Sequence, residues 1–248
     1  MMRNIFLTGG TGLIGKTLIK KLSNDGHNLK IPTRKLDIGK EIISKLKIKN
    51  NLVNLFECDL LHPNSKQTVL NHLDNKIDTL IFNARSLQAI KTDQFGNLSD
   101  KQWVDEFYMG VIFPYQLSKM LIDNKFIIKD IVFISSIYGT VVPNPILYDN
   151  YDLETSPNYG VSKAAQIKLT KEMAIKFINN GIRVNCISFG GVEGRASDEF
   201  VKKYKKVSPN NKMLNDSDIY PALKFLLENE HLAINGENIK IDGGWTLI

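Results

Sequence analysis

The chain has 248 residues, 43% hydrophobic and 23% charged, with a net charge of +6 from 32 Lys+Arg against 26 Asp+Glu. That length suits a core that needs no disulfides, and Cys58 and Cys186 lie in apolar strand-like runs without Cys/His ligand spacing, which argues against a disulfide framework and a metal site. The lysines are dispersed (densest at 202–206) without a nucleic-acid motif, and no apolar run is long enough to span a bilayer, so a cytoplasmic protein with neither nucleic acid nor membrane as partner is expected.

Strand and helix signals alternate along the chain. Residues 4–8 read as a buried strand, and Leu13, Ile14, Leu18 and Leu22 then recur at helical spacing up to Gly26. Residues 28–33 are a weaker strand, because Pro32 has no N–H for a ladder. A short helix at 41–47, a strand at 52–58, a helix at 65–73 and a strand at 77–83 follow. Ser99 and Gln102 form an S-x-x-Q capping box that opens a long helix predicted to reach Asp123. After a strand at 130–136, residues 140–158 form a polar loop. Pro157 takes the first helical position after Ser156 and starts a helix to about Asn180, stopped by Gly181. A strand at 182–188, helices near 198–206 and 217–228, and a strand at 237–242 complete the pattern. Repeated βα units force parallel strands, right-handed crossovers and helices on both faces. The expected fold is α/β: a single doubly wound Rossmann-type domain over residues 1–248, with a seven-stranded parallel sheet.

Residues 8–15 read TGGTGLIG, directly between the first strand and the first helix. Gly10, Gly12 and Gly15 fit G-x-G-x-x-G, which supplies a tight turn, close backbone approach to a pyrophosphate and close helix–strand packing. The helix N-terminus offers free N–H groups to phosphates. In this context Thr8, Gly9, Gly10, Thr11, Gly12, Leu13, Ile14 and Gly15 are the candidate dinucleotide loop, against the plainer reading of a glycine-rich turn that binds nothing. At the end of the second strand, Thr33 stands where an acid for a ribose hydroxyl is expected, and Arg34 and Lys35 follow. An arginine there accepts a 2′-phosphate, so NADP is preferred; Asp37, at a workable distance, keeps NAD open.

Tyr159 and Lys163 are four residues apart and share a helix face. Together with the glycine loop, "CDL" at Asp59, "FNA" at Asn83, "ISSIYG" at Ser136, "IRVNCIS", "FGGV" and the terminal "IDGGW", they mark a chain that resembles the short-chain dehydrogenase/reductase family over nearly its full length. The resemblance implies an NAD(P)-dependent oxidoreductase with Tyr159 as general acid/base, Ser136 bonding the same substrate oxygen, and Lys163 holding the nicotinamide ribose and favouring the phenolate. It further implies that Asp59 and Leu60 meet the adenine edge, that Asn83 and Ala84 line the cofactor, and that Gly190 and Val192 approach the carboxamide. A homo-oligomer, tetramer or dimer, built through helices 99–123 and 157–180 and the C-terminal segment, is implied as well.

Departures from the family pattern are equally visible. Arg85 replaces a glycine, Phe189 a proline and Gly194 a threonine, and Gly110 stands where the family carries an asparagine that supports a water relay. Ser136 and Tyr159 are 23 residues apart, about twice the spacing of the family's short-form branch. The 140–158 loop between them is the candidate substrate loop, and its Tyr148 and Tyr151, with Arg85, are candidate substrate contacts for a hydroxyl-rich ligand. Residues 190–215 are expected to be a mobile segment on the substrate side. The combination is similar to short-form members associated with bacterial surface-sugar and nonulosonate biosynthesis. That resemblance implies a small-molecule substrate, a sugar phosphate or nucleotide sugar. A 3-oxoacyl thioester reductase and a catalytically silent cofactor-binding scaffold are the alternatives.

Overall fold

The computed structural model describes residues 2–48 and 50–248. Seven strands, β1 (Asn4–Thr8), β2 (Asn28–Thr33), β3 (Val53–Glu57), β4 (Thr79–Phe82), β5 (Asp130–Ser136), β6 (Arg183–Phe189) and β7 (Asn238–Ile241), form one sheet in the order β3-β2-β1-β4-β5-β6-β7. Every pairing is parallel.

The helices in chain order are α1 (Leu13–Asn24), α2 (Leu36–Lys45), α3 (Ser65–His72), α4 (Asp100–Phe107), α5 (Phe113–Asp123), α6 (Tyr151–Glu154), α7 (Pro157–Lys176), α8 (Asp198–Val207), α9 (Asp216–Ile219) and α10 (Pro221–Glu228). One face of the sheet packs α1, α2 and α10 through Leu18, Leu22, Ile43 and Leu223 onto Ile5, Leu7 and Ile31. The other packs α3, α5 and α7 through Val69, Leu117 and Met173 onto Phe6, Leu80 and Phe133. Alternate residues of β1 thus enter opposite cores, as the two-residue period of a strand requires. A third, smaller cluster of Ile137, Leu147, Tyr204, Met213 and Trp245 joins the segments beyond the C-terminal ends of β5, β6 and β7.

The winding order of the strands reverses between β1 and β4, and beside this point the ends of β1 and β2 part. The β1–β2 pairing stops at Phe6 and Lys30, whereas β1 pairs with β4 as far as Thr8 and Phe82. This divergence explains how Pro32 fits an interior strand: the part of β2 that carries it has already left β1 and pairs only with β3. The gap is the crevice in which open α/β sheets hold ligands.

The predicted long helix from Ser99 to Asp123 is interrupted. Its capping box forms as expected, with the Gln102 N–H donating to Ser99 Oγ and the Ser99 N–H donating to Gln102 Oε1. Residues Tyr108–Ile112 then widen into a π turn before α5. The local cause lies in Pro114, which has no N–H to give the Gly110 carbonyl four residues earlier. The 140–158 stretch is also more regular than a loop: it holds a 3₁₀ turn at Pro145–Leu147 and helix α6. Residues 190–215 carry α8 and close on themselves through a bridge between Val192 and Leu214. Among the described residues no helix is long and apolar enough to cross a membrane.

Candidate active site

A cavity of about 820 Å³ opens along the C-terminal ends of β1, β2, β4, β5 and β6. Gly9, Thr11, Gly12, Leu13 and Ile14 line it from the glycine loop, and Arg34, Asp59, Leu60, Asn83 and Ala84 from the neighbouring strand ends. Ser136, Tyr159, Lys163, Gly190, Val192, Arg85 and Tyr148 share the same wall.

Four residues expected at the site stand off that wall, for packing reasons. Thr8 is buried behind the loop, where its Oγ accepts the N–H groups of Asn83 and Ala84 and ties β1 to the end of β4. Gly10 faces Ile19 and Ile31 in the core. Gly15 lies under the turn: a Cβ on it would meet the Gly9 carbonyl at 2.1 Å, so its role is close packing of α1 against the loop. Tyr151 lies behind Tyr148, the two rings edge to face at 5.8 Å, and supports that side chain rather than touching the cavity.

The loop itself is built to receive an anion. Gly9 holds φ +68°, a left-handed conformation, and the Asn83 side-chain amide donates to its carbonyl at 3.0 Å. Helix α1 starts at Gly12 with no side-chain cap and no acid in its first turn. Its leading N–H groups therefore point unpaired into the crevice, the arrangement that suits a pyrophosphate. At the β2 end Arg34 lines the cavity while Asp37, in the first turn of α2, does not.

The catalytic candidates come together from two elements. Ser136 ends β5 and Tyr159 lies in the first turn of α7. Between them the Ile137–Gly139 turn packs on α7 so tightly that a Cβ on Gly139 would meet the Lys163 backbone at 2.7 Å. Ser136 Oγ accepts the Tyr138 N–H at 3.2 Å, which leaves its own hydroxyl proton to give. Lys163 is 4% exposed, and its ammonium lies 5.7 Å from the centre of the Tyr159 ring. The Arg85 guanidinium lies over the same ring at 5.0 Å.

Two of the three Lys163 N–H donors are committed. Nζ donates to the Ile134 carbonyl at 3.0 Å and to Gln166 Oε1 at 2.9 Å. The Gln166 amide then donates through Nε2 to the Gly110 carbonyl at 2.9 Å. This is the carbonyl that Pro114 leaves without a helical donor, so one buried amide both satisfies the π turn and anchors the lysine. Where the family pattern expects an asparagine and a water, the structure places Gln166. Sequence reading missed it, although a glutamine one turn after Lys163 on the buried face of α7 was a visible signal.

Beyond Tyr159 the cavity is floored by aromatic groups, of which sequence reading found Tyr148 and missed Tyr138, Phe200 and Tyr204. Tyr138 and Tyr148 join hydroxyl to hydroxyl at 2.9 Å, and burial pushes both phenols above the usual tyrosine range, so they act as neutral hydroxyls. Phe200 and Tyr204 of α8 continue the wall, and Tyr204 stacks on Trp245 at 4.3 Å. Arg195, next to the glycine at position 194, and Glu154 of α6 complete the polar lining.

A parallel sheet with this switch-point cavity, glycine loop and Ser–Tyr–Lys grouping is met again in known proteins. A family model described as Enoyl-(Acyl carrier protein) reductase matches residues 12–246. The chain is 30% identical over 262 aligned residues to the post-translational flagellin modification protein A of Campylobacter coli, covering 98% of each. The fold matches a short-chain dehydrogenase from Bacillus anthracis with a TM-score of 0.84 at 21% identity, covering 99% of this chain and 97% of that one. It also matches a Leptospira borgpetersenii short-chain dehydrogenase solved with bound NAD+, with a TM-score of 0.82 at 23% identity, covering 99% and 93%. The chain belongs to the short-chain dehydrogenase/reductase family. Its class of chemistry is NAD(P)-dependent oxidoreduction.

Proposed function

We propose that the protein interconverts a secondary alcohol and a ketone on a sugar derivative, a sugar phosphate or nucleotide sugar of surface-glycan biosynthesis, with NADP(H) preferred over NAD(H). The observation that carries this reading is the polar lining of the cavity that holds Ser136 and Tyr159, to which Arg85, Arg195, Tyr148 and Glu154 all contribute. Such donors and acceptors suit a polyol better than an acyl chain. The similarity to a flagellin modification protein agrees with a surface-glycan role.

In this reading the α1 N-terminus would hold the cofactor's pyrophosphate, Arg34 its adenine ribose phosphate, and Lys163, with its remaining N–H, its nicotinamide ribose. The cofactor supplies or accepts the hydride. In the direction of reduction, Ser136 Oγ donates a hydrogen bond to the carbonyl oxygen and Tyr159 gives that oxygen its proton; oxidation reverses both. Lys163 places a positive charge beside the ring from which the proton departs. The enzyme works in the cytoplasm, where its two free cysteines stay reduced. It assembles with copies of itself through the exposed apolar residues Val104, Val161 and Ile175 of α4 and α7, an arrangement that light scattering tests.

The test is a fluorescence titration with NADPH and NADH, followed by a panel of sugar phosphates, nucleotide sugars and 3-oxoacyl thioesters while nicotinamide absorbance is recorded. Turnover confined to sugars supports the reading. Turnover confined to a thioester replaces it with the 3-oxoacyl reductase. Tight cofactor binding with no turnover on any of them turns it toward a scaffold.

A further inference from the structure

The arginines of this chain divide into two groups. Arg3 is buried and Arg183 partly buried, and both pair with Asp130, at 3.2 and 2.7 Å. The remaining three, Arg34, Arg85 and Arg195, all line the one cavity, and none makes a hydrogen bond or ion pair with a described residue. Arg34 lies at the β2 end. Arg85 lies over the Tyr159 ring; Arg195 is a solvent-exposed residue of the same cavity lining, and partial desolvation and, after it, the Arg85 charge hold its guanidinium below its ordinary range.

Among the described residues no acid makes an ion pair with either arginine. Of the carboxylates on the wall, Asp59 accepts the Leu61 N–H at 3.1 Å on the adenine side, and Glu154 accepts the Asn150 N–H at 2.6 Å. Glu193 pairs with Lys205 at 3.2 Å. Glu106 is 1% exposed behind the wall, more than ion-pair distance from either arginine; burial pushes its carboxyl up, and the charges of Lys163 and Arg85 act against that rise. Two uncompensated guanidiniums in one cleft repel, and a ligand that places negative charge between them removes that cost. Each guanidinium is a planar fork suited to paired phosphate oxygens.

We infer that Arg85 and Arg195 form the phosphate-binding subsite for a substrate that carries a phosphate monoester close to the reacting carbon. A monoester dianion matches two cations in charge and offers three free oxygens to two forks, whereas a carboxylate or a phosphodiester leaves one positive charge unanswered. The inference narrows the sugar reading above and rests on it for the identity of the carbon skeleton. The Tyr138–Tyr148 hydroxyl pair and the ring of Phe200 then face the rest of that skeleton. Arg85 would bind while lying on Tyr159, so the anion it holds sets the distance from phosphate to reacting oxygen.

The experiment loads the protein with saturating NADPH, which fills the cofactor's own phosphate sites, and titrates inorganic phosphate by calorimetry. Saturable binding is expected, at least tenfold weaker in Arg85→Gln and in Arg195→Gln, with NADPH affinity and melting temperature unchanged in both. Dimethyl phosphate, a monoanionic diester, is expected to bind more weakly than inorganic phosphate. Absence of phosphate binding, or binding that neither substitution alters, overturns the inference. A loss of NADPH affinity in Arg195→Gln in place of phosphate affinity assigns that arginine to the cofactor and overturns it too, as does equal binding of the diester. The same variants are assayed on fructose and fructose 6-phosphate as probe ketoses and on a 3-oxoacyl thioester. Turnover of the two ketoses at equal kcat/KM without phosphate binding sinks the subsite and spares the sugar reading. Arginine-dependent phosphate binding with turnover of the thioester alone sinks the sugar reading and leaves the subsite standing.

Discussion

Replacing Gln166 with leucine tests whether the buried amide positions Lys163 or merely fills space. The side chain is 2% exposed, and leucine removes both of its polar contacts at nearly constant volume. The bond from Lys163 Nζ is charge-assisted and worth about 1.5–3 kcal/mol, and the bond to the Gly110 carbonyl is neutral and worth about 0.5–1.5 kcal/mol. Pro114 supplies no substitute N–H, so the Gly110 carbonyl is left buried and unpaired. A stability loss of about 2–4 kcal/mol, read as a lower denaturation midpoint, is expected from the two together. The functional consequence is separate. With one anchor left, the Ile134 carbonyl, the ammonium samples more positions beside Tyr159, and kcat falls about 10–100-fold, the equivalent of one charged hydrogen bond. Gln166→Glu keeps an acceptor for Lys163 and is expected to recover most of kcat while shifting the pH–rate profile, since it adds a charge beside the lysine. Stopped-flow and steady-state rates with folding curves on the three proteins decide the matter. A leucine variant that loses stability but keeps kcat and its pH profile would show that Gln166 only supports the π turn.

Four further outcomes are expected. Tyr159→Phe abolishes turnover and leaves NADPH affinity nearly intact; residual activity above a few per cent removes Tyr159 from proton transfer. Arg34→Ala weakens NADPH by about tenfold or more, the worth of a charge-assisted bond, and leaves NADH nearly unchanged, so equal losses in the two titrations would discard the β2 argument. A Cβ at position 110 would fall 2.4 Å from Ser162 Oγ, so Gly110→Ala costs about 1–3 kcal/mol of stability by overpacking, and Ser162→Ala in the same chain returns part of it. His27 accepts the Arg3 backbone N–H at Nδ1, and burial holds its pKa below the ordinary 6.5. The folded form therefore binds fewer protons than the unfolded one just below that pH, and stability present above pH 6.5 is lost as pH falls through it. His27→Gln should flatten this slope, measured as melting temperature between about pH 7 and 5.

How much of this molecule could be read in advance depends on the range of the interaction. The parallel seven-stranded sheet was legible because each element is set by local physics: apolar periodicity for the strands and helices, the Ser99–Gln102 box and Pro157 at a helix start, although α7 ends at Lys176, short of Asn180, and Gly181 at φ +70° closes the 3₁₀ turn that follows it. The glycine loop and the shared helix face of Tyr159 and Lys163 were legible for the same reason, since spacing fixes which turn and which face each occupies, whereas Ser136 joined them through the family resemblance. Elements whose form depends on a distant partner were not. The π turn at Tyr108–Ile112 reads as plain helix until Pro114, Gly110 and the amide of Gln166 are seen together, 56 residues separating the last two. Thr8, Gly10 and Gly15 belong to the motif yet face the core or the loop's underside, because close packing behind a ligand loop is as necessary as contact in front of it.

The sequence alone therefore determined the layering, the strand direction and the chemistry available, all of which follow from short-range pattern. The tertiary structure alone decided which cations go unanswered. Arg3 and Arg195 look alike in one dimension; one finds Asp130 across the sheet, and the other finds only Arg85 and an open cavity. Charge compensation is a property of distance in space, and only the folded chain sets those distances.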